Sequence, residues 1–497
     1  MTTAGRDALI DPHALPFLLG VCDAIEAFTT AHVASDPHIF RPRGVDLRYA
    51  IERHLYFAMI NNRDLYSLFA KAAEGARDLP ARLHLLTEQF APFLVPSWRP
   101  RGAWRRLDWR APGWRSRRDD FRALGAARVE RGDWPTDGPP FLFQLVQAKF
   151  LPFLRPIANA LGRPYAFLIF EDPALFAQLE GEPRVHITLD DAGRAHLREE
   201  RYGLLEFFAT YLNAAMAGLA EIRPAALVVP EGNAPYNELF NRAFHALGLP
   251  SVCIQQGWSP IVHTGFRNMS YDRMCVWGAG FAETLAPFNP AQRFVVTGSH
   301  VISPRVRTTH RANGAIAFFL QPGGSPLITS QAAKSMLGLA VWAARQFPSR
   351  EIRVRPHPGG PLSEAEEKCL SLAPNLRIMP ASFASMEEVL ENCDIAVSIF
   401  STTILEAAAA GVIPLIVNVA GLPHYNPDIA RDHAAVEAQD FETARQALSR
   451  LCEDRAFSAG IGARLAGITG RYFARNGMQA MAAMVNEINA LSGGAIP

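Results

Sequence analysis

Short apolar runs alternate with helical stretches along this chain in two series, and that alternation constrains the fold more than any other feature. In the first series, YAFLIF, AALVVP, SVCIQQG and RMCVWG begin near residue 164, with helical segments at 195–221 and 235–247 between them. In the second, the runs are AIAFFL (315–320), EIRVR (351–355), LRIM (376–379), DIAVSIF (394–400) and VIPLIV (412–417). Strand–helix punctuation of this kind predicts parallel sheets with crossover helices, an α/β fold.

The rest of the chain divides around these series. Residues 1–150 read as a helical region, with three-to-four-residue apolar spacing over Leu15 to Val33, Leu47 to Ala73 and Pro80 to Phe93. Residues 151–300 form a first α/β domain and 301–497 a second; the polar, basic stretch 298–313 is the predicted linker. The last helical segment, 470–491, fits against either domain, with a return crossing to the first among the options. A chain of 497 residues is long for one core, so two α/β domains facing a cleft are expected.

Composition removes several classes of function. Formal net charge is +1, which gives the molecule no overall field for nucleic acid. The six cysteines are scattered without a CxxC pair, and Cys253, Cys275 and Cys393 fall in apparent strands, the pattern of reduced core residues in a cytoplasmic protein. No window of about eighteen apolar residues is free of charge, and the N-terminus lacks a signal-peptide pattern, so the chain is expected neither to enter nor to span a membrane. No metal-ligand spacing is present, and no metal or other cofactor is expected.

The richest chemistry lies between Glu351 and Pro414. EIRVR ends in Arg355 and is followed by His357 and Pro358, and DIAVSIF runs directly into a helix whose first turn holds Ser401, Thr402 and Thr403. A helix start offers unpaired N–H groups and the positive end of a dipole, here joined by hydroxyls, so a phosphate would be held there. The same Ser and Thr residues also serve as simple caps, a role compatible with ligand binding. Glu406, one turn further on, can accept from ribose hydroxyls or simply favour the helix start. The turn QPGGS after AIAFFL brings Gln321, Gly323, Gly324 and Ser325 to the same end of the sheet.

A catalytic group must then come from the first domain. Glu231, in VVPEGNAPYN, is the first candidate, with Glu171 and Asp172 of FLIFEDP in reserve; a carboxylate at a strand end can take a proton or attack a sugar carbon. Asp172 before Pro173 reads equally as a helix N-cap. Gln255 and Gln256 close the strand SVCI, and Trp258 and His263 follow, as candidate contacts to an acceptor or sugar. Residues 97–122 hold nine arginines against three aspartates and four tryptophans, a patch suited to an anionic glycan, a lipid-linked acceptor or an anionic membrane surface.

Together, Glu231-Gly232, His357-Pro358 and Ser401-Thr402-Thr403 resemble the acidic-Gly, His-Pro and Ser/Thr motifs of bacterial glycosyltransferases that use CMP-activated sugars: sialyltransferases, polysialyltransferases, and capsule and lipopolysaccharide Kdo transferases. The resemblance covers roughly residues 164–470. It implies the GT-B fold, with two Rossmann-like domains facing a central cleft and CMP bound by the C-terminal one. His357 would then contact the CMP phosphate or cytidine, Ser401 and Thr402 would hold the phosphate, and Glu231 would be the catalytic carboxylate. Pro230 stands where that pattern often has a second acidic residue, and IQQGW is similar to an IQHG-type turn with Gln256 in place of His. The implied reaction moves Kdo, or another nonulosonate such as sialic acid, from a CMP-sugar to a glycan or glycolipid acceptor. This would take place in the cytoplasm, peripherally at the inner membrane if residues 97–122 meet lipid. Inverting and retaining chemistry both stay open. The alternatives are a UDP-sugar GT-B transferase or non-hydrolysing 2-epimerase and, from another class, a non-catalytic polysaccharide- or lipid-acceptor-binding protein.

Overall fold

Runs such as Tyr165–Phe170 and Ile413–Val417 are apolar on both faces, which suits strands covered by helices on both sides of a parallel sheet. In the computed structural model they build two sheets. The residues described are 11, 13–70 (without 61, 63 and 68), 127–198, 204–259, 261–302, 313–323, 327–380, 382, 384–419, 421, 429–430 and 432–491.

The first sheet has eight strands: β1 (Ala127–Gly132), β2 (Phe141–Gln144), β3 (Tyr165–Phe170), β4 (Arg184–Leu189), β5 (Ala226–Pro230), β6 (Ser251–Ile254), β7 (Arg273–Val276) and β8 (Phe294–Val296). Their order is β1-β4-β3-β2-β5-β6-β7-β8. All neighbours are parallel except β1, which runs antiparallel to β4 at the edge. The second sheet is wholly parallel and has six strands: β9 (Ala315–Phe319), β10 (Ile352–Arg355), β11 (Leu376–Ile378), β12 (Cys393–Ser398), β13 (Ile413–Val417) and β14 (Val436–Ala438). Their order is β11-β10-β9-β12-β13-β14. Both sheets are doubly wound. The chain moves outward from β2 or β9, then crosses back to begin again on that strand's other side, at β5 or β12. Two such Rossmann-like units, preceded by helices, form the GT-B plan.

The sheet of the first domain begins earlier than the boundary of 151 read from sequence, because β1 and β2 lie inside the segment taken as helical. The edge strand ARVERG alternates charged and small residues, and FLFQ is only four residues long, so neither carries a periodic signal. Of the predicted N-terminal helices, Ala14–Ser35 and Arg48–Ile60 are present, while the segment 80–93 lies outside the described residues.

Ala14–Ser35 is the one described helix long and apolar enough, by length and composition, to cross a membrane. Half of its most apolar window is buried, with Phe17, Val21 and Ile25 in the protein core. The adjoining helix Arg48–Ile60 packs on Pro235–Ala246, where Arg53 and Glu238 form a fully buried ion pair, Nη1 to Oε2 at 2.7 Å.

At the other end of the chain, residues 471–476 pass against the first domain. Ala474 N–H donates to Trp277 O at 3.0 Å and Ser299 N–H to Arg475 O at 3.1 Å. A Cβ on Gly278 or Gly298 would overlap the backbone of this crossing, so glycine is what lets the two chains approach. The final helix, Gly477–Asn489, then buries Met481, Met484 and Ile488 with Phe153 and Ile157 of the first domain.

Candidate active site

Doubly wound sheets bind ligands beyond the carboxyl ends of their strands, where the strand order reverses. In the first domain that point lies between β2 and β5, and the residues leaving β5 are Glu231 and Gly232. Both adopt left-handed backbone, with φ of 58° and 70°. Glycine is required at the second position: a Cβ there would stand 2.7 Å from Cys253 Sγ and 2.8 Å from the Tyr271 ring. Tyr271 Oη donates to Gly232 O at 3.1 Å, and Glu231 N–H donates to Ile254 O at 2.9 Å, so the turn is held from two sides. The Glu231 carboxyl is half-buried, and burial raises its pKa against the opposing effects of Lys149 and of Asn233, whose amide lies 3.5 Å from Oε2.

In the second domain the reversal lies between β9 and β12, which Ser398 Oγ ties together by donating to Phe319 O at 3.2 Å. The helix Thr402–Ala409 starts there, with Ser401 as its N-cap: Oγ accepts from Thr403 N–H at 3.2 Å and lies 2.7 Å from Thr403 Oγ1. On the neighbouring β10 loop, His357 Nδ1 accepts from Gly359 N–H at 3.0 Å. Burial and then Lys149 lower the imidazole pKa, which favours the neutral ring; with Nδ1 accepting, the proton of that form is on Nε2. Pro358 is exposed.

Glu406 sits one turn below Thr402, and burial pushes its pKa up to about 7 against the pull of Arg355. Arg355 itself is turned to Ala384 O, at 2.7 Å. Gln321 and Pro322 leave β9 beside His357; a Cβ on Gly360 would stand 2.7 Å from Pro322 Cβ, so the two loops are in contact. Gly323 packs on the start of the helix Ser330–Gln346, while Gly324 and Ser325 lie outside the described residues.

The two halves meet at Gly257, in the loop after β6. A Cβ on Gly257 would stand 2.9 Å from Glu231 Oε1 and 3.6 Å from Thr402 Oγ1, and the next backbone N–H, of Trp258, donates to that same Oγ1 at 3.3 Å. The carboxylate of one domain and the helix start of the other therefore face a single small gap. Gln256 lies half-buried at its rim, and the Trp258 indole packs edge-on to Phe281 with centroids 5.1 Å apart.

Other candidates have structural partners. Gln255 is buried; its Oε1 accepts from Trp277 N–H at 3.0 Å and its Nε2 lies 3.3 Å from Gly257 O, which braces β6 against β7. His263 is buried and stacked on Tyr56 at 4.7 Å, with its pKa lowered to about 3 by burial and by Arg53 and Arg267. Asp172 caps the helix Pro173–Gln178 by accepting from Leu175 N–H at 2.9 Å. Glu171 accepts from Leu189 N–H and lies 3.8 Å from Arg194. Of these four, Gln255 alone reaches the Gly257 loop, as a brace to its backbone. The arginine- and tryptophan-rich segment 97–122 lies outside the described residues.

Lys149, which acts electrostatically on Glu231, and Tyr271, which holds Gly232, carry no motif that would mark them in the sequence, whereas Gly257 falls in the IQQGW turn and Asn233 in VVPEGNAPYN. Among the described residues no group of three or more His, Cys, Asp or Glu is arranged to hold a metal ion. An open groove of about 780 Å³ lined by Trp342, Arg445, Arg450 and Asp454 shares no residue with the site.

No family model and no curated protein matches the sequence. Among solved structures, the chain is similar to MurG of Acinetobacter baumannii, at 17% identity over 71% of this chain and 100% of that one, with a TM-score of 0.48. It is likewise similar to CalG4, the calicheamicin glycosyltransferase, at 14% identity over 73% and 100% of the two chains, TM-score 0.49. A third similar structure is UDP-GlcNAc 2-epimerase from Neisseria meningitidis bound to UDP-GlcNAc, at 11% identity over 71% and 99%, TM-score 0.45.

Proposed function

We propose that this chain is a glycosyltransferase that moves a sugar from a nucleotide-sugar donor held by the second domain to a glycan or glycolipid acceptor on the first. Within that class the donor we favour is a CMP-sugar carrying Kdo or a related nonulosonate. The observation that carries the proposal is the meeting of Glu231 and Thr402 around Gly257, which sets a carboxylate opposite a helix start. In the reaction, the acceptor hydroxyl gives its proton to Glu231 as its oxygen bonds to the anomeric carbon. The bond from that carbon to the phosphate oxygen breaks, and its electron pair leaves with CMP. A carboxylate whose pKa is raised by burial is the stronger base for this step. His357 Nε2–H and the helix start, with Ser401 and Thr402, stabilise the charge on the departing phosphate. One Ser/Thr platform suits a monophosphate. The acceptor, if lipid-linked, would be met at the cytoplasmic membrane surface with the help of residues 97–122.

One observation favours a second donor class. The Gln321–Gly323 turn packs against the His357–Gly360 loop, which would surround a second phosphate and suit a UDP-sugar in a transferase or 2-epimerase. Calorimetric titration with CMP, CDP and UDP separates the two, since tight UDP binding without heat from CMP rules out the CMP donor. Release of CMP from CMP-Kdo or CMP-sialic acid identifies the sugar. Glu231→Gln and His357→Ala test catalysis itself: both must abolish transfer, parental activity in both removes these two residues from the catalytic machinery, and a parent that transfers no sugar leaves a binding protein as the better reading. A mass increase trapped on Glu231 would mark a retaining reaction through a covalent intermediate.

A further inference from the structure

We propose that Tyr271 is a positioning residue for the Glu231 carboxylate: its hydroxyl, acting through the carbonyl of Gly232, holds the turn in the backbone conformation that aims the carboxylate at the gap by Gly257. The catalytic role of that carboxylate rests on the glycosyltransferase reading above, whereas the positioning itself is a matter of geometry.

The turn is confined on three sides. Glu231 N–H donates to Ile254 O at 2.9 Å on the β6 side, and Gly232 N–H donates back to Pro230 O at 2.6 Å. At the far end a Cβ on Gly265 would stand 2.8 Å from Asn233 O, so the short turn Thr264–Phe266 abuts the residue after Gly232. On the third side stands Tyr271, whose Oη donates to Gly232 O at 3.1 Å and whose ring lies 2.8 Å from the point that a Gly232 Cβ would occupy. Among the described residues, Tyr271 is the one side chain that hydrogen-bonds the backbone of Glu231 or Gly232.

Tyr271 is itself fixed. It is 2% exposed, and Gln292 grips both polar groups of its backbone: Tyr271 N–H donates to Oε1 at 3.0 Å, and Nε2 donates to Tyr271 O at 2.8 Å. The same Nε2 donates to Arg293 O at 2.9 Å, and Gln292 is buried in turn. A rigid donor is thus set against two successive residues in the left-handed region, of which only the second is glycine. A residue with a side chain at φ 58° gains by relaxing to ordinary backbone. That relaxation would turn the Cα–Cβ bond of Glu231 and carry Oε1 from its place, 2.9 Å from where a Gly257 Cβ would be. It would also swing Gly232 O off the hydroxyl and leave a buried carbonyl without its donor, which is why the hydroxyl opposes it.

The test compares the full chain with Tyr271→Phe, which keeps the ring against Gly232 and removes the hydroxyl alone. Isotope labelling of glutamate carboxyls identifies Glu231 by NMR as the signal missing from Glu231→Gln. In the parent, burial holds the Glu231 titration above the usual carboxylate range. In Tyr271→Phe it should move back toward that range as the carboxyl turns to water, while the other glutamate signals keep theirs. In the transfer reaction kcat should fall about fivefold, the worth of one hydrogen bond, with KM for the nucleotide sugar within roughly twofold. Thermal melts set the working temperature below the variant's transition. A Glu231 titration left in place by Tyr271→Phe overturns the inference, as does a kcat equal to the parent's. Movement of many glutamates together, or kcat and KM worsening in step, makes Tyr271 a general support of the fold and overturns it too. A parent that transfers no sugar ends the glycosyltransferase reading, and the Glu231 titration alone then decides the positioning.

Discussion

The backbone N–H of Trp258 donates to Oγ1 of Thr402 at 3.3 Å, and that bond joins the loop after β6 in the first domain to the first residue of a helix in the second. Thr402 accepts there and still has its own hydroxyl proton to give. A phosphate arriving at the helix start would take that proton, so one hydroxyl would link ligand and domain closure in a single chain of hydrogen bonds. Gly257 keeps the approach open between Thr402 and Glu231.

Thr402→Val therefore keeps the shape of the side chain but loses both bonds. Nucleotide affinity should fall about fivefold, the worth of one hydrogen bond, while Thr402→Ser stays near the parent. Calorimetry on the two variants decides it, and equal affinities for Val and parent would remove Thr402 from the ligand site.

The Glu231 backbone makes a separate prediction. A non-glycine residue at φ 58° is strained, a cost of roughly 1–2 kcal/mol that glycine does not bear. Glu231→Gly should abolish transfer yet leave stability to denaturant equal to or about 1 kcal/mol above the parent. Gly232→Ala should lose stability, because its Cβ would press on Cys253 and Tyr271. If Glu231→Gly unfolds more easily than the parent, strain is not stored at this turn.

Much of this arrangement was legible in the chain. Strands such as AIAFFL and VIPLIV were visible because burial on both faces leaves nearly continuous apolar runs, and their observed bounds, Ala315–Phe319 and Ile413–Val417, depart little from those read. The pairing of Glu231 with Thr402 through Gly257 was not legible, since it depends on how two sheets face one another. The electrostatic effect of Lys149 on Glu231 was hidden for a related reason, since the short FLFQ run does not read as a strand beside β5. His263 resembled a free loop histidine, and only the packing of Tyr56 from the N-terminal helices shows it to be core.

Glu406 should make stability depend on pH in the neutral range. Its folded pKa, about 7, lies well above the usual carboxylate range, so burial favours the protonated form. The stabilisation is complete below the unfolded pKa and is lost as pH rises through 7, at most about 3 kcal/mol by linkage. Denaturant midpoints for the parent should fall between pH 5 and pH 8, and Glu406→Gln should flatten that slope. An unchanged slope in the variant would show that another group titrates.

Through Arg53 the N-terminal helices reach the helix that follows the Glu231 turn. Its Nη1 pairs with Glu238 Oε2 at 2.7 Å with both side chains fully buried, and Arg242 binds the other carboxylate oxygen at 2.6 Å. Burial works against the Glu238 charge, but the two arginines together hold its pKa below the usual value. Glu238 lies in the first turn of the helix Pro235–Ala246, which follows the Glu231 turn, so the pair fixes where that turn ends. Arg53→Met leaves Glu238 buried with one partner and should cost about 3 kcal/mol, the low end for a broken buried pair. Adding Glu238→Gln should recover part of that loss, because no unpaired charge then stays inside. With the variant held below its melting temperature, kcat for sugar transfer should fall while nucleotide affinity, assigned to the second domain under the proposed function, should stay within roughly twofold. Loss of nucleotide affinity in step with kcat would mean instead that the N-terminal helices support the whole cleft rather than the Glu231 turn.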